Sequence, residues 1–293
     1  MSLASAVPTA VISGGGAGHE PMDRGFVGQG MLAACITGPH FTSPSAPDIA
    51  DLMSRILDEK QSHEVLAIVK NYTGDVLNFE LAAELLEAAD HSCTLVYVHD
   101  DVATRDVHQG GRGIAGTVLY EKVLGAGAYR GMNSQQLCAI ADQIEDSIVS
   151  YGICFHPPTT VRGTPFFDLP SGYAEMGVGV HGERGTRRIA FERREDVINE
   201  AVDVVFSHLK PGKDPLIVLV NNLGTAREKD MNTAVARVEN CAQQKGEVIA
   251  RLKVGCFATS VDMDGLSLTL MRANPDILSL YDTPTLAPAW SEQ

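Results

Sequence analysis

His181 sits in the run Gly177-Val178-Gly179-Val180-His181-Gly182-Glu183-Arg184-Gly185, among glycines that have no side chain to shield its ring. A neutral imidazole held that openly has the lone pair of a nucleophile. Its other ring nitrogen then needs an orienting partner, which Glu183 or a backbone carbonyl can supply. The same histidine can equally fill a glycine-rich turn and hydrogen-bond to Glu183 or the backbone. Near the N-terminus, Ser13-Gly14-Gly15-Gly16-Ala17-Gly18-His19-Glu20-Pro21 follows an apolar stretch and puts a second histidine on a glycine turn. Backbone N–H groups there can face an anion or a small polar ligand, because glycine permits close approach and positive φ. The loop lacks both the Lys-Ser/Thr pair of a P-loop and the spacing of Gly-x-Gly-x-x-Gly. Two histidines on glycine loops, far apart in the chain, point to one small-molecule site. The other histidines, at 40, 63, 91, 99, 108, 156 and 208, repeat no such arrangement.

Lys70-Asn71-Tyr72-Thr73-Gly74-Asp75 directly follows the apolar run Val65–Val69, where an open α/β sheet presents its ligands. Asp75 suits a general base for a hydroxyl, and Lys70 suits holding or polarising an oxygen. The alternative is an Asn/Gly turn with Lys70 in solvent and Asp75 capping a helix that starts near Val76. His99-Asp100-Asp101-Val102-Ala103 lies past a further strand, and its paired carboxylates can bind a metal or order neighbouring loops. No third metal ligand accompanies them. In Gly110-Gly111-Arg112-Gly113-Ile114-Ala115-Gly116-Thr117, Arg112 can bind phosphate or a carboxylate at a loop that feeds a helix.

These groups need rigid elements behind them. Ala10–Ile12, Val65–Val69, Thr94–Val98 and Leu216–Val220 have the nearly continuous apolar character of strands buried on both faces. Segments 48–57, 78–89 and 133–149 carry apolar residues at helical spacing. The alternation predicts an α/β architecture with two domains and mainly parallel or mixed sheets. A Pro- and Gly-rich stretch from His156 to Gly172 interrupts it. A new strand–helix series then runs from Ile189 through Val197–Phe206 to Leu216. The expected division is therefore residues 1–150, with the glycine-rich loop, and residues 151–293, with His181. The first strand begins so soon after Met1-Ser2-Leu3 that further natural residues are expected ahead of it.

Composition excludes several classes. Lys and Arg total 23 against 37 Asp and Glu, a formal net charge of −14, so nucleic acid and anionic membranes are poor partners. No apolar run is long enough to span a bilayer and no signal-type segment opens the chain, so the expectation is a cytoplasmic protein. The cysteines at 35, 93, 138, 154, 241 and 256 form no Cys-x-x-Cys pair and read as buried reduced thiols.

Eight strings occur in order from residue 11 to about residue 271: SGGGAGHEP, GFVGQGML, KNYTGDVLNF, DDVA, GRGIAGTVL, GVGVHGERG, VNNLG and SVDMDGLSLTL. Together they resemble the substrate-binding K subunits of dihydroxyacetone kinases. That resemblance implies two α/β domains, a homodimer, and a ketone held covalently as a hemiaminal on His181. Gly16, Ala17, Gly18, His19, Lys70 and Asp75 would surround the triose. Asp75 would take the proton of its terminal hydroxyl, and His19 would serve as a second acid–base partner. It also implies no cofactor or metal on this chain; ADP or ATP with magnesium would sit on a separate donor subunit. The same resemblance admits two alternatives: a non-catalytic dihydroxyacetone sensor that assists a transcription regulator, or a kinase subunit for another short ketose such as erythrulose. The chain departs from the family pattern at Phe155–Thr160, at Glu183-Arg184 after the anchor histidine, and in the charged stretch Thr225–Lys229.

Overall fold

The computed structural model describes residues 7–58, 62–91, 93–106, 110–160 and 162–290; Met1-Ser2-Leu3 and His108 lie outside them. The chain forms two compact units, each discontinuous in sequence: Met1–Val98 with Thr117–Gln143 and Pro275–Gln293, and His99–Gly116 with Ile144–Asn274. A single cut near residue 150 does not follow these units.

In the first unit, β1 (Thr9–Ala17), β2 (Ala34–His40), β3 (Glu64–Lys70) and β4 (Cys93–Val98) form an all-parallel sheet in the order β2-β1-β3-β4. β1 and β3 are the central strands and are buried along nearly their whole length, which is why they read as continuous apolar or small-residue runs. α1 (Ala46–Asp58) begins at Ser45, whose hydroxyl accepts the Asp48 N–H at 3.4 Å and donates to its carboxylate. Its Ile49, Met53 and Ile56 recur at helical spacing and enter one core with Ile12, Val65, Ala67 and Phe79. α2 (Thr73–Glu87) starts three residues before the expected Val76, so Asp75 lies inside its first turn rather than at its cap. α3 (Thr117–Tyr129) packs against β1 and β3 and is buried from Thr117 to Ala128.

α4 (Ser134–Ser147) opens with a reciprocal cap: Asn133 Oδ1 accepts the Gln136 N–H at 2.9 Å and Gln136 Oε1 accepts the Asn133 N–H at 3.1 Å. The helical pattern expected to reach Val149 stops two residues earlier. Ile148 and Val149 instead begin β5 (Ile148–His156), because their backbone pairs with a strand more than a hundred residues later.

That strand belongs to the second unit, whose sheet adds β6 (Tyr173–Met176), β7 (Arg187–Ala190), β8 (Leu216–Asn222), β9 (Ile249–Gly255) and β10 (Asp264–Arg272), ordered β7-β6-β5-β10-β8-β9. Only β8 and β9 pair in parallel there, so this sheet is mixed while the first is wholly parallel. α5 (Arg194–His208) and α6 (Glu228–Lys245) pack together over it, and α6 ends at Gly246 in the left-handed region (φ 70°). The final helix, α7 (Pro275–Tyr281), packs against α3, which returns the C-terminal segment to the first unit. These two pairings, β5 with β10 and α7 with α3, are why no single cut separates the units. No helix among the described residues is long and apolar enough to cross a membrane. All six cysteines are thiols. Cys154 and Cys241 are buried, whereas Cys256 is exposed, contrary to its apolar setting in sequence.

Candidate active site

The chain leaves β1 for one neighbour, β2, and later returns to the other side of β1 as β3. The crevice beyond the carboxyl ends of β1 and β3 is therefore the switch point at which open parallel sheets bind ligands. Gly14–Ala17 close β1, Lys70 closes β3, and Asp75 lies in the first turn of α2. The fold thus brings Gly16, Ala17, Gly18, His19, Lys70 and Asp75 to one edge of the first unit. His181 belongs to the second unit.

Glycine is required at this edge for two reasons. A Cβ on Gly16 would lie 2.5 Å from the Thr42 amide nitrogen, and Gly18 has a φ of 106° that side chains disfavour. His19 follows at once, 1% exposed, its ring stacked on Phe41 with centroids 5.0 Å apart and planes 19° from parallel. The loop is closed locally by the Gly18 N–H donating to Glu20 Oε2 at 3.0 Å.

Lys70 is not the solvated side chain that a surface turn would carry. It is fully buried, and its ammonium donates to the Gly14 carbonyl at 2.8 Å and to both carboxylate oxygens of Asp23 at 3.0 Å. These contacts use the three donors an ammonium possesses. Burial alone would pull its pKa down. The carboxyls of Asp23, Asp75 and Glu121 outweigh that and raise it, so Lys70 stays a cation.

Asp75 is 2% exposed and neither of its oxygens has a hydrogen-bond partner. The neighbouring Ser43 hydroxyl lies near enough to lower the Asp75 pKa, but its hydrogen bond goes to the Pro44 carbonyl at 3.4 Å. Burial pushes the Asp75 carboxyl above the ordinary carboxylate range, against the pull of the Lys70 charge. A carboxylate kept from water and from donors has a strong affinity for a proton, the property a general base needs.

His181 lies on the loop 177–186 that joins β6 to β7. Gly177 (φ 72°) and Gly182 (φ 75°) bracket it in the left-handed region, and a Cβ on Gly177 would meet Ala103 Cβ at 2.6 Å. The ring is half-buried, less open than its glycine neighbours suggest, because Val178 and Val180 turn inward and anchor the loop. The Gly177 and Val178 N–H groups both donate to the Gly152 carbonyl of β5, at 2.7 and 3.1 Å.

Arg112 fastens both flanks of this loop. It donates to the Gly177 carbonyl at 2.8 Å ahead of His181 and to Glu183 Oε1 at 2.9 Å behind it, and it pairs with Asp101 Oδ2 at 2.6 Å. Glu183, one of the partners proposed for the imidazole, thus commits an oxygen to Arg112. Asp101 is fully buried, and its burial raises its carboxyl pKa against the Arg112 charge. Asp100 accepts the Ile114 and Gly116 N–H groups at 2.7 and 2.8 Å, and burial pushes its pKa up to about 6. The acidic pair orders loops, the second of the two roles its position suggested.

Removing Arg112 leaves the buried Asp101 carboxylate without a counter-charge, held by the Ala103 N–H at 2.9 Å and the Thr104 hydroxyl at 3.4 Å. Arg112→Met is expected to cost about 3–5 kcal/mol in urea unfolding. Arg112→Lys should recover only part of this, since one ammonium lacks the fork that reaches three acceptors. Adding Asp101→Asn to Arg112→Met should restore stability; a double variant no better than the single would show that the pair is not the source.

The segments that depart from the family pattern make specific contacts. Thr159 donates its N–H and hydroxyl to the two oxygens of Asp262, each at 2.7 Å, and Arg184 lies over the Phe167 ring at 6.0 Å. In the charged stretch after Gly224, Arg227 pairs with Asp230 at 2.8 Å, and Asn222 Oδ1 accepts the Gly224 and Ala226 N–H groups. Sequence reasoning missed Asp23 and Glu121. Glu121 left a signal, being one of two adjacent charged residues, with Lys122, inside the largely apolar TVLYEKVLGAGAY helix, whereas Asp23 sits in an irregular turn with none.

The Dak1 domain family matches residues 4–289. The dihydroxyacetone-binding subunit DhaK of the PEP-dependent dihydroxyacetone kinase of Escherichia coli K12 is 37% identical, with 96% of this chain and 86% of that one aligned. Among solved structures, the dihydroxyacetone kinase operon co-activator DhaQ superposes with a TM-score of 0.90 at 32% identity, covering 97% of this chain and 88% of that one. The dihydroxyacetone kinase from C. freundii, in complex with AMP-PNP and Mg2+, superposes at 0.85 with 33% identity over 95% of this chain and 51% of that one. With a family match over nearly all its length and a relative above 30% identity across 96% of it, the chain belongs to the Dak1 family.

Proposed function

We propose that this chain is the dihydroxyacetone-binding subunit of a dihydroxyacetone kinase, working with a separate subunit that carries the phosphoryl donor. The observation that carries this reading is the buried, partnerless Asp75 carboxylate beside the glycine loop and His19 at the β1/β3 switch point. The name of the Escherichia coli relative supports the substrate. One ring nitrogen of neutral His181 adds to the ketone carbon; the C=O π pair moves to oxygen, which takes a proton, and the imidazole loses its other N–H proton. The product is a hemiaminal, and glycerol is refused because it has no electrophilic carbon. Gly16, Ala17 and Gly18 surround the triose, with Lys70 behind them, its ammonium held by Gly14 and Asp23. The terminal hydroxyl then attacks the phosphoryl group while Asp75 takes its proton and His19 hydrogen-bonds to the substrate. ADP or ATP with magnesium resides on the donor subunit, and the chain acts as a homodimer in the cytoplasm.

Intact-protein mass spectrometry with dihydroxyacetone tests the covalent step. The expected product has gained the whole mass of the triose, located to His181. Loss of water from the adduct would indicate a lysine imine and overturn the assignment.

A second reading rests on the close superposition with a co-activator: a sensor would bind the ketone without turning it over. Incubation with a donor subunit from a related kinase separates the two, since the kinase reading requires dihydroxyacetone phosphate to form. The same assay with erythrulose in competition decides the preferred ketose.

A further inference from the structure

Beneath the glycine strand lies a second set of ionisable groups to which the reaction assigns no step. Asp23 is 8% exposed, Glu121 of α3 is fully buried, and both surround the Lys70 ammonium. Asp23 accepts from Lys70 through both oxygens at 3.0 Å and from the Ser13 hydroxyl at 3.3 Å. Neither Glu121 oxygen closes a hydrogen bond, although Asp23 and Ser13 stand beside it. Gly15 makes room for the ammonium: a Cβ there would lie 2.9 Å from Lys70 Cε. One buried cation faces two buried carboxyls, and two neighbouring carboxyls out of water do not both ionise. Asp23, with the cation directly on it, keeps the charge, and its pKa is lowered against the cost of burial. Glu121, desolvated and beside the Asp23 charge, is driven well above its usual range and holds the proton.

We propose that Asp23 and Glu121 are positioning residues for the phosphoryl-acceptor site: packed together against the Lys70 ammonium, they hold it under Gly14 and Gly15 and keep it off Asp75. The inference rests on the reading of Asp75 as the base. Without Asp23, the ammonium is left with Asp75 and Glu121 as carboxyl neighbours, of which Asp75 exerts the stronger pull, and an ion-paired Asp75 is a poor base. Among the described residues, the charged groups that act on Asp75 are Lys70 from β3 and Asp23 from the turn after β1. His19 acts on Asp23, and Glu121 acts on both Asp23 and Lys70.

The test uses the full chain with a donor subunit shown to support turnover of the parent. Asp23→Asn is expected to lower kcat at least about tenfold, to move the acidic limb of the kcat–pH profile to lower pH, and to leave formation of the His181 adduct nearly unchanged. A limb that stays or moves up, or adduct loss in step with kcat, overturns the proposal. Glu121→Leu should lose kcat in the same way and Glu121→Gln should recover most of it. Recovery is expected because the amide reproduces a protonated acid's donor; failure of that rescue also counts against it. The chain alone gives an independent readout. An infrared carbonyl band of a protonated carboxylic acid should persist at pH values where an ordinary glutamate is ionised and vanish in Glu121→Gln; its absence from the parent overturns the protonated Glu121. Asp75→Asn, run in parallel, separates the two readings. If it keeps full turnover, the assignment of the base is wrong. If it loses turnover while Asp23→Asn does not, the positioning role alone is wrong.

Discussion

His181→Ala is expected to abolish covalent capture of dihydroxyacetone and to reduce turnover by about 100-fold or more, the order expected from losing the positioning of a bound reactant. The fold should survive. His181 is half-buried on a loop that Val178, Val180 and the Arg112 bridges anchor. Selectivity should change character as well. Once the C–N bond is lost, a ketone and the corresponding alcohol differ only in hydrogen bonding, so the alanine variant should bind dihydroxyacetone and glycerol with similar weak affinity. Calorimetric titration with both compounds measures this. A variant that still binds the ketone as tightly as the parent would remove the covalent anchor from the mechanism.

Asp75→Asn is expected to cost about 10²- to 10⁴-fold in kcat, the usual contribution of a general base, and at the same time to make the protein more stable. Asp75 is a buried carboxylate with no hydrogen-bond partner, and its pKa is raised by burial. For a group whose folded pKa is raised, its share of stability is complete below the unfolded pKa and is lost as pH rises through the folded value. The amide carries no such penalty. The gain in melting temperature should therefore be largest in alkaline buffer and fade as pH falls through the Asp75 pKa, by about 2–4 °C for each kcal/mol relieved. Thermal scans of parent and variant across pH check the sign. A stabilisation that grows on acidification would mean that Asp75 is held ionised by a partner, and the base assignment would fail.

The edge of the parallel sheet was well exposed to sequence reasoning. Val65–Val69 is apolar on both faces because β3 lies inside the sheet, and the segment Lys70 to Asp75, at the carboxyl end of such a strand, stands at a ligand-binding edge. Gly15 and Gly16 were legible for a similar reason, since close approach to Lys70 and Thr42 leaves room only for glycine. The second unit was harder. In β5, Ile148-Val149 continues the apolar spacing of α4, and only pairing with β10 converts it to strand. Periodicity carries no information about a partner so distant.

Local chemistry written in the chain determined the family, the glycine turns, the central strands of the parallel sheet and the helices capped at Ser45 and Asn133, because each depends on residues a few positions apart. Tertiary structure alone decided that Lys70 is saturated by Asp23 and Gly14, that Arg112 binds Asp101, Glu183 and Gly177 together, and that Asp75 is left without a partner. The reason is electrostatic. A charged side chain reads alike whether solvated, paired or stranded, and the three are separated by the burial and the partners that folding brings from 11 to 71 residues away.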